Sequence, residues 1–151
     1  MREMLHATCI ALDGRGILLL GPPGSGKSSL ALQMIDMPGY GAGDRLLRAR
    51  LVADDQVQVS LQQGELVATA PPSLAGLLEV RGLGLVRVEA LASVTLALVV
   101  ELSTPAATER LPEQQAREVL GVSLPLIGLD ASLPAAPARL RAAARIAVNA
   151  A

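Results

Sequence analysis

The stretch Gly21, Pro22, Pro23, Gly24, Ser25, Gly26, Lys27, Ser28, Ser29 places Gly21, Gly26, Lys27 and Ser28 at the spacing G-x-x-x-x-G-K-[ST]. Residues of these types at this spacing can wrap a phosphate chain. The glycines let the backbone curl until successive N–H groups point inward, and a helix that follows adds its positive end. Lys27 then reaches the β- and γ-phosphates as a point charge, and the Ser28 hydroxyl completes the shell of a Mg²⁺ ion. All nine residues, Gly21 through Ser29, are read as an ATP-binding loop. A second cluster is the acidic pair Asp54 and Asp55 at the end of LVADD. In proteins with such a loop, a neighbouring strand sets an acid opposite the phosphates. Adjacent strand residues point to opposite faces. Unless the strand has already ended, one acid therefore acts at the transferred phosphoryl group, while the other organises metal, water or a neighbouring loop.

These side chains need strands and a helix to hold them. Residues 5–12 and 17–20 are apolar runs separated by DGRG, which predicts two strands and a turn. Leu30, Ala31, Met34 and Ile35 recur at helical spacing, so a helix is predicted from Gly26 to just before Pro38-Gly39. RLVADD reads as a short buried strand ending in its acids. QVQVSLQQGELVATA reads as a hairpin about Gly64, and VRGLGLVRVE as a glycine-interrupted run leading into the long apolar strand SVTLALVVEL. Helices are predicted over residues 112–120 and over the Ala-rich residues 137–148.

Composition limits the classes of function. With 151 residues and 51% hydrophobic content, one domain with a real core is expected. A net charge of −1 offers no electrostatic footprint for a nucleic-acid backbone, and with one Tyr and no Phe or Trp there are no stacking platforms for bases. The core must be built from Leu, Val, Ile and Ala. No apolar run approaches the roughly 20 residues of a membrane span, and Asp13 and Arg15 break the amino-terminal apolar stretch too early for a secretory signal. The lone Cys9 cannot form an internal disulfide, which fits a cytoplasmic protein and a role as apolar filler.

One further stretch, LLEVRGLGLVRV, closely resembles the E-x-R-G-L-G signature of the HPr kinase/phosphorylase family. Three more similarities follow in the same order: the His of LHATCIALDGRGILLLG, RLVADD, and Glu109-Arg110-Leu111. The resemblance spans about residues 5–130. It implies an α/β fold, a P-loop-containing kinase domain of phosphoenolpyruvate carboxykinase-like type with a mixed sheet and flanking helices. Residues 1–151 are expected to be a single catalytic domain, without the amino-terminal domain of longer members. The implied activity is ATP- and Mg²⁺-dependent phosphorylation of a serine on HPr or an HPr-like carrier of the sugar phosphotransferase system, by a homo-oligomer, a hexamer in the family. Carried over by position, the resemblance implies His6, Lys27 and an Asp of the pair as catalytic, with Ser28 and Glu79 as magnesium ligands. Asp55 is favoured over Asp54 as the base, and Arg81 and Arg110 are the cations expected to offset charge on the moving phosphoryl group.

The chain departs from the family in two places. Pro22, Pro23 and Ser29 replace the Asp, Ser and Glu of the loop G-D-S-G-x-G-K-S-E. The phosphorolysis motif P-x-R-P-G-R-N, aligned after LPLIGL, finds Ser132 and Ala135 where the family has arginines. Weak or absent phosphorylase activity is the expectation, with Arg139 or Arg141 as the residues that could otherwise capture phosphate. Two other readings remain open at this stage: a P-loop kinase acting on a small molecule, and a nucleotide-binding sensor without efficient transfer.

Overall fold

The apolar run over residues 5–12 is not one strand but the join between two. The computed structural model describes residues 1–103 and 115–149. In it β1 (Arg2–Leu5) pairs antiparallel with Val57–Ser60, and β2 (Thr8–Leu12) pairs with a different part of the sheet. His6 and Ala7 make the break, where the Ala7 N–H donates to the Asp55 carbonyl at 3.2 Å. β3 (Arg15–Leu20) returns antiparallel to β2 with Leu12 opposite Arg15. Asp13 and Gly14 are therefore the two turn residues, and both hold positive φ (53° and 77°). That backbone suits a tight turn between twisted strands, and DGRG supplies it.

After the loop, α1 (Lys27–Asp36) buries Leu30, Ala31 and Met34 as their spacing requires. β4 (Ala49–Ala53) follows, then the hairpin β5 (Val57–Gln62) and β6 (Glu65–Thr69) about Gly64. The glycine-interrupted run is a separate two-stranded ribbon, β7 (Leu77–Val80) and β8 (Gly84–Arg87). β9 (Ser93–Leu102) is the central strand, and β10 (Gln115–Val119), β11 (Val122–Leu129) and α2 (Ala136–Asn149) complete the chain. The main sheet runs β1-β5-β6-β9-β3-β2-β4, with β11 beside the end of β9 and β10 beyond it.

The helix predicted over residues 112–120 is corrected: Gln115–Val119 is a strand, and residues 112–114 lie outside the described part. Leu120 and Gly121 take positive φ (48° and 81°) and turn β10 back against β11 with Val119 opposite Val122. Helical propensity over so few residues is a weak preference, and strand pairing overrides it.

The sheet is covered on both faces, so β2 is buried at every position. Ile10, Leu12, Ile17, Leu19, Leu98 and Val100 face α1 and α2. Cys9, Ala11, Leu18, Val52, Leu96 and Val99 face the side over which β5 and β6 curl. Burial pushes the Cys9 thiol up to about 12, consistent with a packing role.

Where β3 leaves its turn beside β9, an ideal Cβ on Gly16 would lie 2.7 Å from a Val94 methyl and 2.9 Å from the Thr95 carbonyl oxygen. The β3–β9 register shifts between Gly16 and Ile17. Gly16→Ala is expected to destabilise the fold by roughly 1–3 kcal/mol through overpacking, read as a lower urea midpoint; an unchanged midpoint would contradict the close approach.

Candidate active site

Strand direction places the candidate chemistry. β9 runs parallel to β3, and β11 runs parallel to β9. Since β4 and β3 are both antiparallel to β2, β4 points the same way as β3. The carboxyl ends of β3, β4, β9 and β11 therefore open onto one edge of the sheet, the position where α/β sheets bind ligands. β3 delivers the glycine-rich loop there and β4 delivers Asp54 and Asp55, while β2, lying between them, begins there with His6 just ahead of it.

The loop is shaped by Gly24 and Gly26, at φ 81° and 97°. Gly26 precedes α1 in the left-handed region, and the Leu30 N–H donates to its carbonyl at 2.9 Å. Lys27 is only 9% exposed, and among the described residues it has no carboxylate within ion-pairing distance. Its ammonium donates to the carbonyl oxygens of Gly21 (2.7 Å) and Pro22 (3.1 Å). An ammonium has three donors, so one is left for an anion, and a buried cation without a countercharge favours one strongly. The two prolines that depart from the family loop leave this arrangement intact, because backbone carbonyls hold the lysine.

The strand ends at Ala53, and the two acids separate beyond it. Asp54 is buried. Its Oδ1 accepts from Thr8 Oγ1 (2.8 Å) and Ser28 Oγ (2.7 Å), and its Oδ2 accepts from the Glu79 backbone N–H (3.0 Å). It therefore ties together β2, the start of α1 and the β7–β8 ribbon. Asp55 takes φ 69° and turns outward, with His6 Nδ1 3.5 Å from its Oδ1. Both side chains are 58% exposed, open to an incoming acceptor.

His6, Lys27, Ser28, Asp55, Glu79 and Arg81 line one cleft of about 440 Å³, whose floor includes Pro23, Gly24 and Gly26. Ser29 and Thr8 complete its lining. Gly21 and Pro22 act beneath it through their carbonyls, and Ser25 closes the turn with its N–H donating to the Pro22 carbonyl at 3.1 Å. Arg110 and its Glu109-Arg110-Leu111 motif lie outside the described residues.

A hydroxyl and a carboxylate side by side, Ser28 and Asp54, form a hard-oxygen donor pair of the kind that suits Mg²⁺, with Glu79 on the cleft wall. Among the described residues no group of three or more His, Cys, Asp or Glu is arranged to hold a metal. Mg²⁺ commonly takes only one or two carboxylates and completes its shell with phosphate oxygens and water, so this pair fits it.

Two residues were missed from sequence. Thr8 is a fully buried polar residue among apolar neighbours on β2, and that oddity was the available signal. Asp130, 4% exposed, follows β11 and accepts from the N–H (3.0 Å) and hydroxyl (2.7 Å) of Ser132. A Cβ on Gly26 would lie 3.1 Å from Ala131, so this junction packs on the phosphate loop. Arg141 is corrected as a phosphate-capturing candidate. It is 3% exposed, and its guanidinium donates to the carbonyls of Leu47 (3.3 Å), Met34 (3.0 Å) and Met37. It fastens the end of α1 to α2, and the same burial lowers its pKa. Arg139 is exposed.

A family model for the HPr Serine kinase C-terminal domain matches residues 1–147. The HPr kinase/phosphorylase of Clostridium tetani is 40% identical over 87 residues, 58% of this chain and 25% of that protein. The HPr kinase/phosphorylase of Cupriavidus metallidurans is 35% identical over 140 residues, 85% of this chain and 40% of that protein. The chain thus spans about a quarter to two fifths of the length of these relatives. The solved Hpr(Ser) kinase/phosphatase from Coxiella burnetii is similar with a TM-score of 0.82 at 22% identity, over 98% of this chain and 92% of that one. At that identity the likeness is one of fold. No helix among the described residues is long and apolar enough to cross a membrane.

Proposed function

The chain belongs to the HPr serine kinase C-terminal domain family, and from that premise we propose that it transfers the γ-phosphoryl group of ATP to a serine hydroxyl of an HPr-type phosphocarrier protein. The observation that carries this reading is the division of labour between the acids: Asp54 is fixed on Ser28 and Thr8, while Asp55 stands open beside His6. A mere nucleotide binder has use for the first arrangement and none for the second.

In this reading the loop N–H groups and Lys27 hold the β- and γ-phosphates. The acceptor serine enters at the mouth of the cleft and gives its proton to Asp55, which His6 orients. The serine oxygen bonds to the γ-phosphorus as the bond to the bridging oxygen breaks, and ADP leaves with that oxygen. Lys27 and Arg81 offset the charge that spreads over the phosphoryl oxygens. Ser28, Asp54 and Glu79 would hold Mg²⁺, which when bound neutralises charge on the β- and γ-oxygens. The working unit is read as a cytoplasmic homo-oligomer, a hexamer by family resemblance.

The test is incubation of the purified chain with radiolabelled ATP, Mg²⁺ and purified HPr-type proteins, followed by mapping the label. Label on a serine of the carrier is expected. Label found only in free phosphate, or on a small hydroxyl compound with no carrier present, would overturn the reading.

The reverse reaction is expected to be weak. Phosphorolysis requires inorganic phosphate to be captured and aimed at phosphoserine, a task suited to arginine's fixed fork of donors. At the aligned positions stand Ala135 and Ser132, and the Ser132 hydroxyl is engaged by Asp130. With phosphoserine carrier and phosphate supplied, pyrophosphate release is expected about 10²-fold or more below the forward rate, the usual cost of a lost oxyanion donor. Comparable rates would mean that other residues capture phosphate.

A further inference from the structure

A second cavity lies at the other end of β3 from the phosphate loop. β3 rises about 3.3 Å per residue, so Arg15 and Ile17 at its start stand well away from Gly21. The cavity, of about 220 Å³, has an apolar floor that includes Leu12, Ile17, Leu47, Ala97 and Leu98. Helix α2 closes one side with Ala144, Arg145 and Ala147. This volume is below the roughly 300–1,000 Å³ usual for drug-sized ligands and equals about seven waters' share of liquid volume.

The rim carries charge of unequal sign. Arg15, Arg45 and Arg145 stand against Asp13 and Asp44. Arg45 is paired with Asp13 across the lip. Among the described residues neither Arg15 nor Arg145 has a carboxylate within ion-pairing distance. Arg145 donates, among the described residues, to the Gly41 carbonyl, at 3.3 Å. With Arg45 and Asp13 paired, Arg15 and Arg145 stand against the single Asp44, an excess of one positive charge over an apolar lining; that is the make-up of a ligand site, and the excess charge sets the sign of the ligand's head.

We propose that this cavity is a second ligand site that takes a small monoanion with a compact apolar body, such as a branched-chain carboxylate. The body covers Ile17 and Leu98, and the carboxylate meets Arg15 and Arg145. The walls of the site are also those that carry the catalytic elements. Leu47 and Gly41 belong to the connection between α1 and β4, which start from the phosphate loop and end at Asp54. Arg141 and Arg145 bind that connection to α2. A ligand held between Arg145 and Leu47 therefore touches the segment that fixes the spacing of those two elements.

The test follows the alanine methyl signals of the full chain by NMR during titration with isovalerate, isopentanol, isopentylamine and inorganic phosphate. Isovalerate is expected to shift Ala97, Ala144 and Ala147, and to bind at least tenfold more tightly than the neutral or cationic analogue or than phosphate. Arg15→Gln with Arg145→Gln is expected to reduce isovalerate to the level of isopentanol. Ala97→Leu and, separately, Ala147→Leu fill the cavity and are expected to abolish the shifts; the second changes only a helix residue, so it guards against loss of folding in the first. Equal binding of all four probes, or shifts that survive Ala147→Leu in the folded protein, would overturn the proposal.

Discussion

Lys27→Ala is expected to lower phosphoryl transfer by about 10³-fold or more and to raise the Kd for ATP by roughly 10–100-fold, the equivalent of one charged hydrogen bond. The reason lies in how the ammonium is held. It is nearly buried and bonded to the Gly21 and Pro22 carbonyls, and among the described residues it has no acid partner. Its charge is therefore compensated only by dipoles until phosphate arrives. Among the described residues the other guanidinium of the cleft, Arg81, is exposed on the ribbon, where solvent screens it, so it supports Lys27 without replacing it. The fold should tolerate the change, because removing a buried charge relieves desolvation, while Gly21 is half-buried and Pro22 exposed, so water can reach their carbonyls. Lys27→Met, which keeps the apolar stem, should behave in the same way. The check is single-turnover transfer beside ATP titration. Unchanged turnover in a folded variant would refute the phosphate-loop assignment.

What the sequence made legible was what depends on local pattern. The phosphate loop, the helix after it and the two Asp-Gly and Gln-Gly turns follow from short-range rules, since each needs particular residues at fixed offsets. Strand pairing was less accessible. Residues 5–12 look like one apolar run, yet the chain leaves one part of the sheet and enters another at His6, and nothing local marks that step except the polar residue itself. Residues 115–119 lack a strand's alternation because β10 pairs, among the described residues, with β11 alone and buries only Val119. Their fate is set by a partner contributed by residues 122–126. The site shows the same division. Lys27 and Ser28 can be named from spacing, whereas the roles of Asp54 and Asp55 turn on φ 69° at Asp55 and on Thr8, 46 residues away from Asp54 in sequence. Arg141 carries a similar lesson: its charge suggested an anion, and its burial against three carbonyls gives it another task.

The division between the acids leads to opposite kinetic signatures. Asp55→Asn is expected to lower transfer by about 10²–10⁴-fold, the usual contribution of a general base, while ATP binding and stability stay unchanged. Asparagine has nearly the same shape and accepts the left-handed backbone as readily as aspartate, so φ 69° does not become a source of strain. The side chain is exposed, and no hydrogen bond of the core depends on it. Asp54→Asn differs in each respect. Its two oxygens accept from two hydroxyls and one backbone N–H. An amide must turn its NH₂ toward one of those groups; the hydroxyls of Thr8 and Ser28 can rotate to accept, but the Glu79 N–H cannot. The amide oxygen is thereby committed to Glu79, and Ser28 loses its anionic partner. The expected outcome is a loss of about 1–3 kcal/mol of stability and weaker Mg²⁺-ATP binding, with Mg²⁺-free nucleotide binding less affected. Thermal melts, ATP titrations with and without Mg²⁺, and single-turnover transfer on both variants separate the cases. If Asp54→Asn loses transfer at unchanged Mg²⁺-ATP affinity while Asp55→Asn retains it, Asp54 is the base and the open position of Asp55 beside His6 serves something other than proton transfer.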